Sequence, residues 1–171
     1  MRLRKYAVIA FAAAALACGR SREGVIKFGD QPGLVVTEDD LTRYVAWWRD
    51  YLTLVNRHRI ELDAVTRSVS SKYSPGETDR MSQDPELLAT FDRQRSAMQE
   101  LEGRRPVDGL KMQALRDTVP GVATLEFQGD KVAYVPGHNE IALAAARQRY
   151  GDKFVAWVVS REAVIARILS E

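Results

Sequence analysis

The chain is poor in the residues that most enzyme chemistry needs. Its 171 residues include one cysteine, Cys18, and two histidines, His58 and His138. A lone cysteine excludes an internal disulfide, so the folded part must be held by packing. No G-x-S-x-G nucleophile turn, no H-E-x-x-H and no phosphate-cradling loop is present; Gly29-Asp30-Gln31-Pro32-Gly33 contains a proline and lacks the following lysine. Internal repeats and low-complexity tracts are lacking too. The longest apolar run, Ala7 to Ala17, is eleven residues, or about 16 Å of helix against a hydrocarbon core of roughly 30 Å. That run is too short for a comfortable membrane span.

Its flanks explain it. Arg2, Arg4 and Lys5 make a positive start, the run follows, and it ends in small residues before Cys18-Gly19-Arg20-Ser21-Arg22-Glu23. This is the n-region and h-region order of an export signal. Ala15-Leu16-Ala17-Cys18 resembles the lipobox of bacterial lipoproteins. The resemblance covers the first eighteen residues only and departs at Ala15, where Leu is usual; here Leu16 stands one place late. It implies cleavage before Cys18, a diacylglyceryl thioether on its thiol, and often a further fatty acyl chain such as palmitate on the new amino group. Ala15-Leu16-Ala17 is also an A-x-A site for the ordinary signal peptidase, which would cut the same bond and leave a bare thiol. An odd exported cysteine calls for an explanation, and lipidation supplies one.

The resemblance makes membrane lipid a partner through Cys18. Gly19 stands where an Asp marks inner-membrane retention in Gram-negative lipoproteins, which tilts the expectation toward the outer membrane, with the domain in the periplasm. The formal charge of +2 belongs to the signal: of 25 Lys and Arg, removing Arg2, Arg4 and Lys5 leaves 22 against 23 Asp and Glu, near −1. Such a balance, with the arginines scattered among acids, does not point to nucleic acid.

The expected organisation is a cleaved signal at 1–17, a lipidated cysteine with tether and turns at 18–36, and one helical domain at 37–171. Val25-Ile26-Lys27-Phe28 suits a short strand or simple packing. Thr37 suits an N-cap, with Glu38, Asp39 and Asp40 on the first turn and Val36 and Leu41 placed as a hydrophobic staple. Leu41, Trp48, Val55, Leu62 and Val69 then step by seven beside Tyr44, Tyr51, His58 and Val65. One helix from about Glu38 to Lys72 is predicted. Asp84-Pro85-Glu86 starts a second, with Leu87, Leu88, Phe91, Met98 and Leu101 as its apolar stripe, able to fold back antiparallel on the first. A shorter helix within 106–119 carries Leu110, Met112 and Leu115, weakened by Gly109 and stopped by Pro120-Gly121. Thr124–Phe127 and Lys131–Val135 flank Gln128-Gly129-Asp130 as a small hairpin near 123–135. Asn139 or His138 caps a helix to Tyr150, Gly151 breaks it, and an apolar helical segment ends the chain. The fold class is mostly α: a long antiparallel helical hairpin or bundle with a small β-hairpin.

Candidate chemistry is thin. His58 and Glu61 share a helix face, and with His138 and Glu140 they are the weak candidates for a metal. They lack the tight spacing of known sites, so the expectation is no metal, with His58 packing or pairing with Glu61. Asp39-Asp40 and Glu61/Asp63 are paired only in sequence, diverging around the helix. Trp47 lies off the core row and suits second-layer packing, or contact with a ligand, a partner or the membrane interface. The reading is a non-enzymatic, membrane-tethered lipoprotein of the cell envelope that binds another envelope protein, without a cofactor. The alternatives are a chaperone-like client binder and a small-ligand or metal-binding domain or minimal hydrolase.

Overall fold

A computed structural model describes residues 23–26 and 33–171. The expected signal at 1–17 and Cys18 lie outside the described residues. Among those described, seven helices and two antiparallel hairpins make a mostly α fold.

The first hairpin comes from the segment expected as tether and turn. Strands β1 (Glu23–Ile26) and β2 (Leu34–Thr37) pair with Gly24 opposite Val36 and Val25 opposite Val35. Successive side chains alternate between faces, so Gly24, Ile26 and Val36 turn inward and are buried, while Val25 and Val35 face out. Gly24 is obligatory by contact rather than by φ. A Cβ there would stand 2.5 Å from Cε3 of Trp157.

Helix α1 (Glu38–Ser70) starts where the sequence signals it. The Thr37 hydroxyl accepts from the Asp40 N–H at 3.1 Å and the Asp40 carboxylate accepts from the Thr37 N–H at 3.0 Å, closing a capping box. Val36 and Leu41, placed to staple the helix entry, are both in the core. At 33 residues the helix is about 50 Å long. After the single turn α2 (Thr78–Ser82), helix α3 (Pro85–Gly103) opens with the Asp84 carboxylate accepting from the Glu86 N–H and with Pro85 at its first position.

Helix α3 runs antiparallel to α1, as expected. Going up α1 and down α3, Trp47 meets Leu101, His58 meets Gln94, Glu61 meets Arg93, and Lys72 meets Glu86. The face that packs keeps Leu87 and Leu101 of the expected stripe, with Met98 half-buried, but not Leu88 and Phe91. Leu87 and Thr90 are buried and Gln94, Ala97 and Leu101 are half-buried, whereas Leu88 is 47 % and Phe91 40 % exposed. The packed positions alternate steps of three and four, the seam spacing of paired helices. Thr90 joins it at little cost because its hydroxyl donates to the Glu86 carbonyl at 2.9 Å. Leu88 and Phe91 are left on the outside.

Helix α4 (Gly109–Val122) corrects a second expectation, because Pro120 and Gly121 lie inside it rather than ending it. Proline costs the helix the one bond its N–H would make to the carbonyl four residues back, and the helix runs only two residues beyond it. Gly121 is needed for approach: a Cβ would come within 2.8 Å of Leu143 Cδ2. Leu110, expected on the apolar side, is exposed, while Leu115 is fully buried.

Strands β3 (Thr124–Gln128) and β4 (Lys131–Val135) form the expected hairpin, with Gln128 opposite Lys131 and Gly129 at φ +63° in the two-residue turn. An isolated hairpin is marginal. This one is tied to α1 through the buried Asn56, whose amide donates to the Gly129 carbonyl at 2.9 Å. Asn139 caps α5 (Glu140–Tyr150), Gly151 at φ +88° separates it from α6 (Asp152–Val159), and α7 (Glu162–Ser170) ends the described chain. No helix of the described residues is long and apolar enough to cross a membrane.

The molecule therefore has two parts. In the base, β1–β2, the first turns of α1, and α4 to α7 share one core around Tyr44, Leu115, Leu143, Tyr150, Phe154 and Ile165. The arm is the distal half of α1 with α2 and α3, and its buried Val69 and Leu87 lie outside that core.

Candidate functional site

The four metal-ligand candidates are not brought together. Among the described residues no group of three or more His, Cys, Asp or Glu could hold a metal ion. His58 is half-buried in the arm, and its backbone carbonyl accepts from Gln94 at 2.9 Å. Glu61 accepts from Arg93 at 2.9 Å and from Gln94 at 3.2 Å, and these two bonds hold its carboxyl below the usual value. His138 belongs to the base. Its Nε2 lies 3.1 Å from Glu162, while Glu140 pairs with Arg147 at 3.5 Å.

Glu162 is the partner that the sequence did not reveal, being 24 residues from His138 and 28 from Tyr134. The Tyr134 hydroxyl donates to its other oxygen at 2.8 Å. Both contacts, Tyr134 first, hold the Glu162 carboxyl below its usual value. Burial, helped by the carboxylate, raises the Tyr134 phenol. A histidine oriented by a carboxylate is half of an acid–base unit, and the other half is a nucleophile within hydrogen-bond reach. The third member here is a phenol that already donates to the same carboxylate. The arrangement is suited to clamping β4 and the loop before α5 onto the start of α7.

Trp47 sits where arm meets base. Its indole N–H donates to the Leu101 carbonyl at 3.1 Å, and its ring stacks on Tyr51 with centroids 5.5 Å apart. This is packing against a second layer. Trp47 also borders a cleft of about 410 Å³ with Arg105, Met112 and Arg116. A second cleft of about 370 Å³ runs between α1 and α3, floored by Leu54, Ala97 and Leu101 and rimmed by Asp50, Arg57, Glu100 and Arg104. Both rims mix charge signs, so neither selects an ion of one sign.

The charge cluster with most structure is at the start of α1. Asp40 is buried, accepts from Lys111 Nζ at 2.8 Å and from Arg43 at 3.0 Å, and completes the capping box. Burial pushes its carboxyl up, but the bonds from Lys111 and Thr37 outweigh that and hold it below the usual value. The cluster ties α4 to the α1 N-terminus and is structural.

The remaining feature is apolar. Leu88 and Phe91, three apart on α3, share one outer face of the arm. Set against known proteins, the chain matches no family model, no curated protein and no solved structure.

Proposed function

We propose that the protein is a cell-envelope lipoprotein, anchored by acyl chains on Cys18, whose helical arm binds another envelope protein without catalysing a reaction. The anchor rests on the sequence: a positive start, eleven apolar residues, and Ala15-Leu16-Ala17 before the only cysteine. Two or more acyl chains hold a protein stably at a membrane. Export places the domain outside the cytoplasm, in the periplasm and on the outer membrane if the cell is Gram-negative.

The observation that carries the binding role is the exposed Leu88–Phe91 face. It stands on a helix whose other side is already committed to α1, so it is spare apolar surface rather than unfinished core. Intact mass of the mature protein tests the anchor: a bare Cys18 N-terminus overturns it. A photo-crosslinking residue at position 91, in intact cells, tests the arm. One dominant adduct, absent when the probe is moved to exposed Gln128 on the β3–β4 hairpin, supports a dedicated partner. Many adducts of unrelated size would favour the chaperone-like client binder, which uses the same spare surface. No adduct overturns both.

A further inference from the structure

A second spare apolar face lies at the other end of α1. Val25 and Val35 are directly opposed across β1 and β2, and they are 40 % and 38 % exposed on the outer side of that hairpin. The inner side is fixed. Gly24 abuts the Trp157 indole, and Ile26 and Val36 are fully buried in the base. Among the described residues the hairpin thus packs one face into the base and exposes the other.

The chain just before it says what covers that face. Only Gly19, Arg20, Ser21 and Arg22 separate Cys18 from Glu23. Five residue steps reach roughly 18 Å when fully extended. A headgroup layer is itself about 5–8 Å deep on each side of the hydrocarbon. With acyl chains on Cys18, the hairpin cannot stand far from the bilayer surface. Two of the four intervening residues are arginines, which anionic headgroups attract. Short reach and positive charge both draw the hairpin down onto lipid.

We propose that the outer face of β1–β2 lies against the phospholipid surface, with Val25 and Val35 at the headgroup–acyl boundary. The inference rests on the lipid anchor at Cys18. It also fixes where the arm points from. Helix α1 begins at Glu38, one residue after β2 ends, and runs about 50 Å to Ser70. The membrane contact and the arm tip are at opposite ends of one helix, so the arm carries its Leu88–Phe91 face away from the hairpin.

The test uses the full mature lipoprotein in vesicles of phosphatidylethanolamine and phosphatidylglycerol. Lipidation blocks Cys18, so a single added cysteine takes an environment-sensitive fluorophore uniquely. Val35→Cys and, on the partner strand, Val25→Cys report the hairpin; Ser74→Cys reports the exposed arm tip. Nitroxide-bearing lipids are expected to quench the label at 35 and at 25 several-fold more than at 74. Equal quenching at all three positions in lipidated, vesicle-bound protein overturns the hairpin contact and leaves the anchor standing. A disulfide between two unlabelled Val35→Cys copies, with position 35 unquenched, shows a second copy on the face and likewise overturns it. An unmodified Cys18 by intact mass overturns the anchor, and the hairpin contact with it.

Discussion

Helix α1 passes through both parts of the molecule, which makes the base and the arm directly comparable. Its seven-residue rows do not change character along the way: Leu41 and Trp48 are followed by Val55, Leu62 and Val69. In the base, Leu41, Tyr44, Val45 and Trp48 are all buried, because β2, α4, α6 and α7 surround them. In the arm, Val55, Leu62 and Val65 are only half-buried, and the fully buried residues beyond Trp48 are Asn56 and Val69. In the arm one helix and the tip of the β3–β4 hairpin cover part of α1, whereas in the base several elements close over its whole apolar row. Periodicity says which side turns inward, and the number of packing partners decides how much that is worth.

The comparison sets an order of costs. Phe154→Ala, deep in the base, should lose about 3–5 kcal/mol, the usual cost of emptying a closed aromatic site. Leu62→Ala in the arm should lose about 1 kcal/mol, since the leucine is half exposed already and water can fill what it leaves. Urea unfolding of both variants checks this. Equal losses would mean that the arm is as closed as the base.

Between those two lies the joint. Asp40→Ala removes a cap and leaves Lys111 without its partner in a confined place, at a cost of about 2 kcal/mol. The folded-state carboxyl is held below its ordinary value. Its contribution is therefore present above the unfolded pKa of about 3.9 and is lost as pH falls through the lower folded value. Stability measured from pH 6 down to pH 2 should fall less steeply in Asp40→Asn than in the parent. Parallel curves would show that Asp40 is not responsible for the acid slope.

A smaller effect appears without any substitution. Amides of α3 and distal α1 should exchange hydrogen through local opening, before the base opens, because few closed contacts hold the arm. Hydrogen exchange followed by mass spectrometry separates peptides of 57–101 from those of 143–169. Identical protection in the two sets would make the molecule one cooperative unit.

Much of this architecture was legible in the sequence, for local reasons. The capping box at Thr37, the Asp84-Pro85 start, the Gly129 turn and the Asn139 cap are each written within four residues, and each is where the structure has it. What was hidden depends on distant partners. The α3 stripe was read as Leu87, Leu88, Phe91, Met98 and Leu101 because they are apolar; Leu87 and Leu101 are on the seam, but it also runs through Thr90 and Gln94 and leaves Leu88 and Phe91 outside, chosen by the line of approach of α1. Pro120 reads as a stop, yet α4 continues through it because Leu143 packs onto Gly121. The docking of β1 on α6 rests on one glycine fitting one indole 133 residues on, from 24 to 157. Of the site candidates, Trp47 is half-buried against the core and reaches Leu101 across the seam. The partner of His138 was missed, since nothing near residue 138 points to Glu162.

The smallest expected change in stability is the most informative about function. Phe91 and Leu88 are among the larger apolar side chains left exposed, and both lie outside the line of Leu87, Thr90, Gln94, Ala97 and Leu101. Replacing Phe91 with Ser should shift stability by no more than about 0.5 kcal/mol, as for other surface positions. If the face exists to bind, the same replacement should abolish the crosslink formed by a probe at neighbouring position 88. A large loss of stability would show that Phe91 holds the arm together and would remove the reason to read it as an interface. An unchanged adduct would instead separate the captured protein from the apolar face, and move the search for its contact to the cleft beside Trp47.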